Sequence, residues 1–326
     1  MNKFVFQENK LRTNAYQKDE SAERIFKEMN LFLEQLEQPE LSGVDYPTLF
    51  IFGLPRSGTT LTYQLFAQCL DLGYVNNLIA HFWLSPQHGV TLSRAVLGSL
   101  SETSFHSDYG KTQGPSGPHE FAYFWQHWLK INDVEDMLIF NQPNLAIDWD
   151  RLGRTVRCVQ DAFKKGVVFK TMYSANHIRA FAENFAMPLF IYVERDPIDV
   201  ALSILSARKK YYGRSDVWWA THPPNYQDLA GLPFDEQIAG QVHSLKRTYE
   251  DAIELIPSEL VIRLSYSKLC DSPPAALAQV KERYSKVYDF SLGTYLDPPN
   301  RFETRKRDKP ISDEEHAIVE AMEIWK

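Results

Sequence analysis

Eight consecutive residues, Gly53-Leu-Pro-Arg-Ser-Gly-Thr-Thr60, bring two glycines, a guanidinium and three hydroxyls together between a short apolar run and a helical pattern. Gly53 and Gly58 permit a tight turn, and the start of a helix aims free N–H groups and a positive dipole end at one point. Arg56 adds a planar cation that forks onto phosphate or sulfate oxygens, and Ser57, Thr59 and Thr60 add hydroxyl donors. The chemistry this pattern predicts is anion binding. A second group follows the apolar run Leu189–Val193: Glu194-Arg195-Asp196-Pro197, with Ser203 eight residues beyond Arg195. Pro197 is a helix-start signal, and Arg195 falls where a strand's carboxyl end meets ligands in open α/β sheets. Alone, Arg195 reads as an ion pair with Asp196 or Asp199. With the first loop, and with two turns of helix returning the Ser203 hydroxyl beside its guanidinium, it makes a second dianion site.

Loops that hydrolyse ATP or GTP need a lysine directly after the second glycine to reach the β- and γ-phosphates. Thr59 stands there instead, and the cation lies inside the loop at Arg56. At this point the chain resembles the sulfotransferases that use 3′-phosphoadenosine-5′-phosphosulfate (PAPS). The resemblance runs from Tyr46 to about Pro274 and ends on Arg263-Leu-Ser-Tyr-Ser-Lys-Leu269. It implies that Arg56, Ser57, Gly58, Thr59 and Thr60 hold the 5′-phosphosulfate, while Arg195 and Ser203 hold the 3′-phosphate. Val168-Phe-Lys-Thr171 looks like the lysine-bearing strand end of the bacterial and carbohydrate branch, which places Lys170 on the bridging or leaving oxygen. Relatives in that branch also carry an acidic residue, sometimes beside a histidine, before a Phe-Ala segment. Here that is His119-Glu120-Phe121-Ala122. A histidine near its reference pKa of about 6.5, or a glutamate raised by burial, takes a hydroxyl proton, so both stay open as the general base. The basic run Arg301–Arg307 reads for most of its residues as a solvated charge run before the last helix; the resemblance implies cations for the 3′-phosphate from such a late loop, although its Gly-rich form is absent. In-line sulfuryl transfer then needs a positioned donor, screened charge and a base, and no metal.

The elements that position these groups follow from the apolar pattern. Short continuous apolar runs at Thr48–Phe52, Val167–Lys170, Leu189–Val193 and Leu260–Leu264 predict strands buried on both faces. Helical patterns separate them at Gly58–Leu70, Trp149–Phe163, Ala175–Phe185, Ile198–Lys210 and Asp235–Leu255. The expected fold is α/β: one P-loop-like domain over residues 1–326, a central parallel sheet flanked by helices, and a helical, aromatic-rich cap. Residues 73–144, which carry no clear strand, and 211–233 are the expected cap, whose aromatics either line the substrate site or enlarge the core. Residues 1–45 form a helical arm whose pattern over Asp19–Gln38 puts Ile25, Met29, Phe32, Leu33 and Leu36 on one face, suited to the core or to a homodimer.

The chain has 326 residues, 44% hydrophobic and 24% charged, which excludes a disordered or fibrous protein. Its 35 basic against 42 acidic side chains leave a charge of −7, which argues against nucleic-acid or anionic-membrane partners but not against a local anion site. The 3 cysteines form no disulfide or metal pattern, and neither a signal peptide nor a membrane span is legible, so a reducing, cytoplasmic setting is expected. We therefore expect a cytoplasmic PAPS-dependent sulfotransferase that releases adenosine-3′,5′-bisphosphate. Its acceptor would be the hydroxyl or amine of a small polar or cationic molecule, such as a hydroxylated or guanidinium-bearing natural product. The rivals are a P-loop kinase or nucleotide hydrolase, which the missing lysine disfavours, and a non-catalytic nucleotide-binding module. His81, His106, His127, His177 and His222 read as structural or pocket-lining.

Overall fold

A computed structural model of the chain describes residues 9–36, 39–98, 104–303 and 312–325. In chain order the elements are α1 (Glu20–Leu33), β1 (Thr48–Gly53), α2 (Thr59–Cys69), β2 (Gly73–Tyr74), α3 (Pro86–Leu97), β3 (Ser107–Asp108), β4 (Lys111–Thr112) and α4 (Ala122–Trp128). They continue with α5 (Trp149–Phe163), β5 (Val167–Lys170), α6 (Ile178–Asn184), β6 (Pro188–Glu194), α7 (Pro197–Tyr212), α8 (Phe234–Ile253), β7 (Val261–Ser265), α9 (Tyr266–Asp271), α10 (Pro273–Tyr288) and α11 (Asp313–Ile324). Five strands make a wholly parallel sheet in the order β2-β5-β1-β6-β7. Strand β1 is central and buried along its whole length, as its unbroken apolar sequence requires.

The two-residue period of β1 divides the core into two layers. Phe50 and Phe52 enter one with Phe169, Phe190 and Tyr192, under helices α5 and α8. Leu49 and Ile51 enter the other with Val168, Leu189 and Ile191, against α2 and α10. Phe169, Phe50 and Phe190 stack side by side across three strands, with ring centres 6.0 and 5.5 Å apart. Each such buried ring contributes about 1.5–3 kcal/mol through lost water contact. Parallel pairing matters for function, because it gathers the carboxyl ends of β5, β1 and β6 on one edge.

Local signals set the helix ends near that edge. The Asp196 side chain accepts from the N–H groups of Ile198 and Asp199, Pro197 opens α7, and Gly213 closes it at φ 70°. Elsewhere tertiary contacts override the pattern. The helix expected over Ala175–Phe185 breaks at His177, because the Asn141 backbone N–H bonds Asn176 O and its side chain accepts from Ile178 N. The segment 73–144 holds strands after all. Edge strand β2 and the hairpin β3–β4 are each two residues long, too short for periodicity to reveal. Tyr109 and Gly110 both have positive φ in that hairpin's turn, as a two-residue type I′ turn demands.

The arm also departs from expectation. Ile25 and Phe32 of α1 are exposed, and the residue buried is Asn30. The Asn30 amide donates to His81 O and accepts from Leu84 N, so a polar anchor, not the apolar stripe, decides the helix's rotation. Gln38 lies outside the described residues. Cys69, Cys158 and Cys270 are buried free thiols. Among the described residues no helix is long and apolar enough to cross a membrane.

Candidate active site

Strand β1 runs directly into the loop, and two glycines make its path feasible. A Cβ on Gly53 would lie 2.5 Å from Val193 O. Gly58, at φ 105°, caps α2, and a Cβ there would enter the Tyr266 ring at 2.2 Å. Arg56 itself has a left-handed backbone, φ 70°. No side chain caps α2, so the first-turn N–H groups at Thr59 and Thr60 face the loop with no capping acceptor. Ser57 is fully buried, its N–H donating to Leu54 O and its hydroxyl without a protein partner.

Arg56 crosses to α7, where its Nε donates to Ser203 Oγ at 3.0 Å, and its guanidinium lies 4.9 Å from the Tyr109 ring centre. Ser203 Oγ thus accepts from Arg56, and among the described residues no hydrogen bond joins it to Arg195. Arg195 Nη1 donates to Arg56 O at 3.0 Å, Nη2 pairs with Asp199 at 3.5 Å, and the guanidinium lies over Tyr266 at 4.6 Å. Its Nε is buried without a protein partner. The two groups are therefore one continuous network laid over the carboxyl ends of β1 and β6.

Lys170, 6% exposed at the end of β5, donates to Thr60 Oγ1 at 2.8 Å and to Glu120 Oε1. Burial pushes the Glu120 carboxyl up, but Lys170, aided by His119 and Arg56, outweighs it and holds the group below the ordinary carboxylate range. Glu120 is a carboxylate at neutral pH. Neighbouring His119 accepts the Phe121 N–H on Nδ1 at 2.9 Å. The ring keeps an exposed face toward the cavity, and the protein packed around its remaining faces pushes its pKa down to about 4, with Glu120 opposing. In the neutral ring the remaining proton sits on Nε2, so the ring has a donor to offer and no free lone pair.

A cavity of about 1830 Å³ joins these groups. Arg56, Gly58, Thr59, Thr60, His119, Glu120, Lys170, Arg195 and Ser203 all line it, and Ser57 does not. Both cap segments contribute walls, including Trp83, Tyr123 and Trp219. His81, His106 and His222 line it too, whereas His127 faces Glu34 and His177 is buried. Arg301 reaches the cavity and pairs with Asp271 at 3.0 Å; residues 304–307 of that basic run lie outside the described residues. Sequence reasoning missed Tyr109 and Tyr266, the ring platforms beneath the two arginines. It also missed Arg12, Lys18, Glu23, Phe26 and Lys111, which the arm and the hairpin bring to the cavity. Only Tyr266 had a signal, inside the Arg263–Leu269 stretch.

A sequence model of the Sulfotransferase family matches residues 47–284, which span the sheet, the loop and the network above it. The chain belongs to the sulfotransferase family. Among solved structures this sulfotransferase is similar to STF9 from Mycobacterium avium, at 13% identity over 93% of this chain and 71% of that one, TM-score 0.49. It is also similar to STF1 from Mycobacterium tuberculosis H37Rv, at 12% identity over 93% and 75%, TM-score 0.46. A third is the sulfotransferase domain of the Synechococcus PCC 7002 olefin synthase, at 16% identity over 77% of each chain, TM-score 0.39. Among curated proteins none matches.

Proposed function

We propose that this sulfotransferase uses PAPS as donor, that residues 1–326 form one domain, and that Glu120 is the general base. The observation that carries the donor assignment is the pairing of an uncapped α2 N-terminus with the partnerless Arg195 Nε, both on one cationic network. Such a site fits a donor with two separate anionic groups. When bound, PAPS supplies an electrophilic sulfur and a leaving adenosine-3′,5′-bisphosphate. Arg56, Gly58, Thr59 and Thr60 would hold the phosphosulfate, with Ser203 orienting Arg56. Arg195 would hold the 3′-phosphate.

Glu120 is favoured over His119 because the His119 Nδ1 lone pair is spent on Phe121 N–H. Lys170 occupies only Oε1 of Glu120, and Oε2 accepts no hydrogen bond among the described residues. An anion against the first turn of α2 competes with Glu120 for Lys170. As Lys170 turns to that anion, the carboxyl loses the charge that holds its pKa down and becomes a stronger base at the moment it is needed. His119 Nε2–H donates to the acceptor or to transferring oxygens, a positioning role.

Calorimetric titration tests the reading. Adenosine-3′,5′-bisphosphate should bind tightly without a metal, and ATP with magnesium should not compete. Tight magnesium-dependent ATP binding would instead support a kinase.

A further inference from the structure

The sheet divides the walls of the cavity. Helix α2, whose N-terminus faces the loop, packs on the layer of Leu49 and Ile51 through Tyr63 and Phe66. Tyr266, beneath Arg195, belongs to that same side. Helix α8 packs on the opposite layer, with Tyr249 edge-on to Phe52 at 5.8 Å. Met137, Tyr173 and Trp219 reach the cavity from this second side. Strand order adds a lateral separation: β5 and β6 flank β1, so the segment after Lys170 starts on the side of β1 away from Arg195. The α2 N-terminus and Arg195 on its Tyr266 platform therefore lie on one side of the carboxyl edge. The walls built from residues 171–176 and 218–222 lie on the other.

Those walls are uncharged and held from behind. Residues 171–176 and 218–222 include no Lys, Arg, Asp or Glu. Burial pushes the His222 pKa down to about 4, so its ring is neutral. That ring stacks on Trp218 with centres 5.6 Å apart, and Tyr226 stands edge-on to it at 4.4 Å. Ala220, between Trp219 and Thr221, has a left-handed backbone at φ 67°, which a residue with a Cβ keeps only where its neighbours hold it. Gln241 of α8 does so. Its side chain is fully buried, and its NH2 group donates to Trp219 O at 3.0 Å and to Thr221 O at 2.8 Å, the carbonyls on either side of Ala220. Its Oε1 is buried without a protein partner, so the amide serves these two donations. An apolar side chain would fill the same space and leave both carbonyls without that donor. The Thr221 hydroxyl then reaches Met172 Sδ at 2.8 Å, which joins the cap segment to the segment after β5.

We propose that Gln241 is a positioning residue for the acceptor: it holds Trp219 and Thr221 against Met172 to form an uncharged pocket for the apolar body of a neutral alcohol or phenol, whose hydroxyl is turned toward Glu120. This rests on the reading of the site as a sulfuryl-transfer centre with Glu120 as base. It replaces the expected polar or cationic acceptor, because these two segments offer a cation no carboxylate. Glu23, a carboxylate that the arm brings to the cavity, is already engaged by Lys18 at 3.6 Å and by the Tyr123 hydroxyl.

The test uses three phenols of similar shape: neutral 4-ethylphenol, cationic tyramine and anionic 4-hydroxyphenylacetate. Sulfation by the full chain is followed as release of adenosine-3′,5′-bisphosphate from PAPS, and binding by the NMR signals of isotope-labelled methionine methyls. KM for 4-ethylphenol should lie at least about tenfold below that of either charged phenol, since a charge set against an uncharged wall loses hydration and gains no partner. Titration with 4-ethylphenol should shift the Met172 methyl, assigned through Met172→Leu, and leave those of Met187 and Met322 in place. Gln241→Leu should raise KM for 4-ethylphenol at least about fivefold and bring the preference over tyramine toward one, with kcat and affinity for adenosine-3′,5′-bisphosphate unchanged. A purely structural Gln241 would instead lower the melting temperature and the active fraction while KM and the preference held. Gln241→Asn, which keeps a core amide but draws it back by one methylene, should move KM the same way and serves where Gln241→Leu does not fold. Equal KM for the three phenols, turnover of none with adenosine-3′,5′-bisphosphate bound, an unmoved Met172 methyl, or an unchanged KM in the Gln241 variants overturns the proposal. If adenosine-3′,5′-bisphosphate fails to bind while 4-ethylphenol still shifts Met172, the donor reading falls and the acceptor pocket stands.

Discussion

Replacing Glu120 by Gln removes the one carboxylate in contact with Lys170 among the described residues while keeping an oxygen in the same place. If Glu120 takes the acceptor proton, kcat falls by roughly 10²–10⁴-fold, equivalent to about 2.7–5.5 kcal/mol of barrier. Donor affinity holds or rises, because Lys170 no longer divides its charge between Glu120 and an incoming anion. His119→Asn leaves an acceptor near Phe121 N–H and costs at most about tenfold, the loss of a hydrogen-bond donor. Separating the two by pH looks simple from reference values of about 6.5 and 4.3. It does not work here, because His119 is pushed down to about 4 and Glu120 is held below its usual range. A base is active in its deprotonated form, so in the donor-free enzyme either group leaves kcat/KM for the donor flat as pH falls through about 6.5, and the variants, not that profile, discriminate. The assays are steady-state product release for kcat and calorimetry with adenosine-3′,5′-bisphosphate for the donor site, with circular dichroism to show that each variant folds. Wild-type kcat in Glu120→Gln, or a 10²-fold loss in His119→Asn, refutes the assignment.

Arg56→Ala should lower donor affinity and turnover together, by the roughly 1.5–3 kcal/mol of a charge-assisted contact, read by calorimetry and product release. Arg195→Ala should weaken PAPS more than adenosine-5′-phosphosulfate, which lacks the 3′-phosphate. Ser203→Ala should weaken both alike, because Ser203 touches Arg56; competition titrations with the two nucleotides separate these outcomes. Gly58→Ala should lower the melting temperature, since a side chain at φ 105° is strained by about 1–3 kcal/mol and its Cβ meets the Tyr266 ring at 2.2 Å. An unshifted Tm would mean that α9 yields without cost.

What the sequence settled alone was local. Four of the five sheet strands were legible, because burial on both faces writes an unbroken apolar run within one segment. The Gly53–Thr60 loop, the Pro197 helix start and Lys170 at a strand end each depend on neighbours within a few residues, so they too could be read directly. Strands of two residues leave no period to read, and the polar contacts of Asn30 and Asn141, which rotated one helix and broke another, cannot be seen in a hydrophobic pattern. Only the folded chain decided the site's chemistry. Sheet order places β5 and β6 on either side of β1, which brings Arg56 to Ser203 across 147 residues and Lys170 to Glu120 across 50. Those long-range contacts determine which hydroxyl the Arg56 guanidinium reaches and which carboxylate Lys170 holds in its charged form. Each depends on distances in space, and residue spacing along the chain carries no record of them.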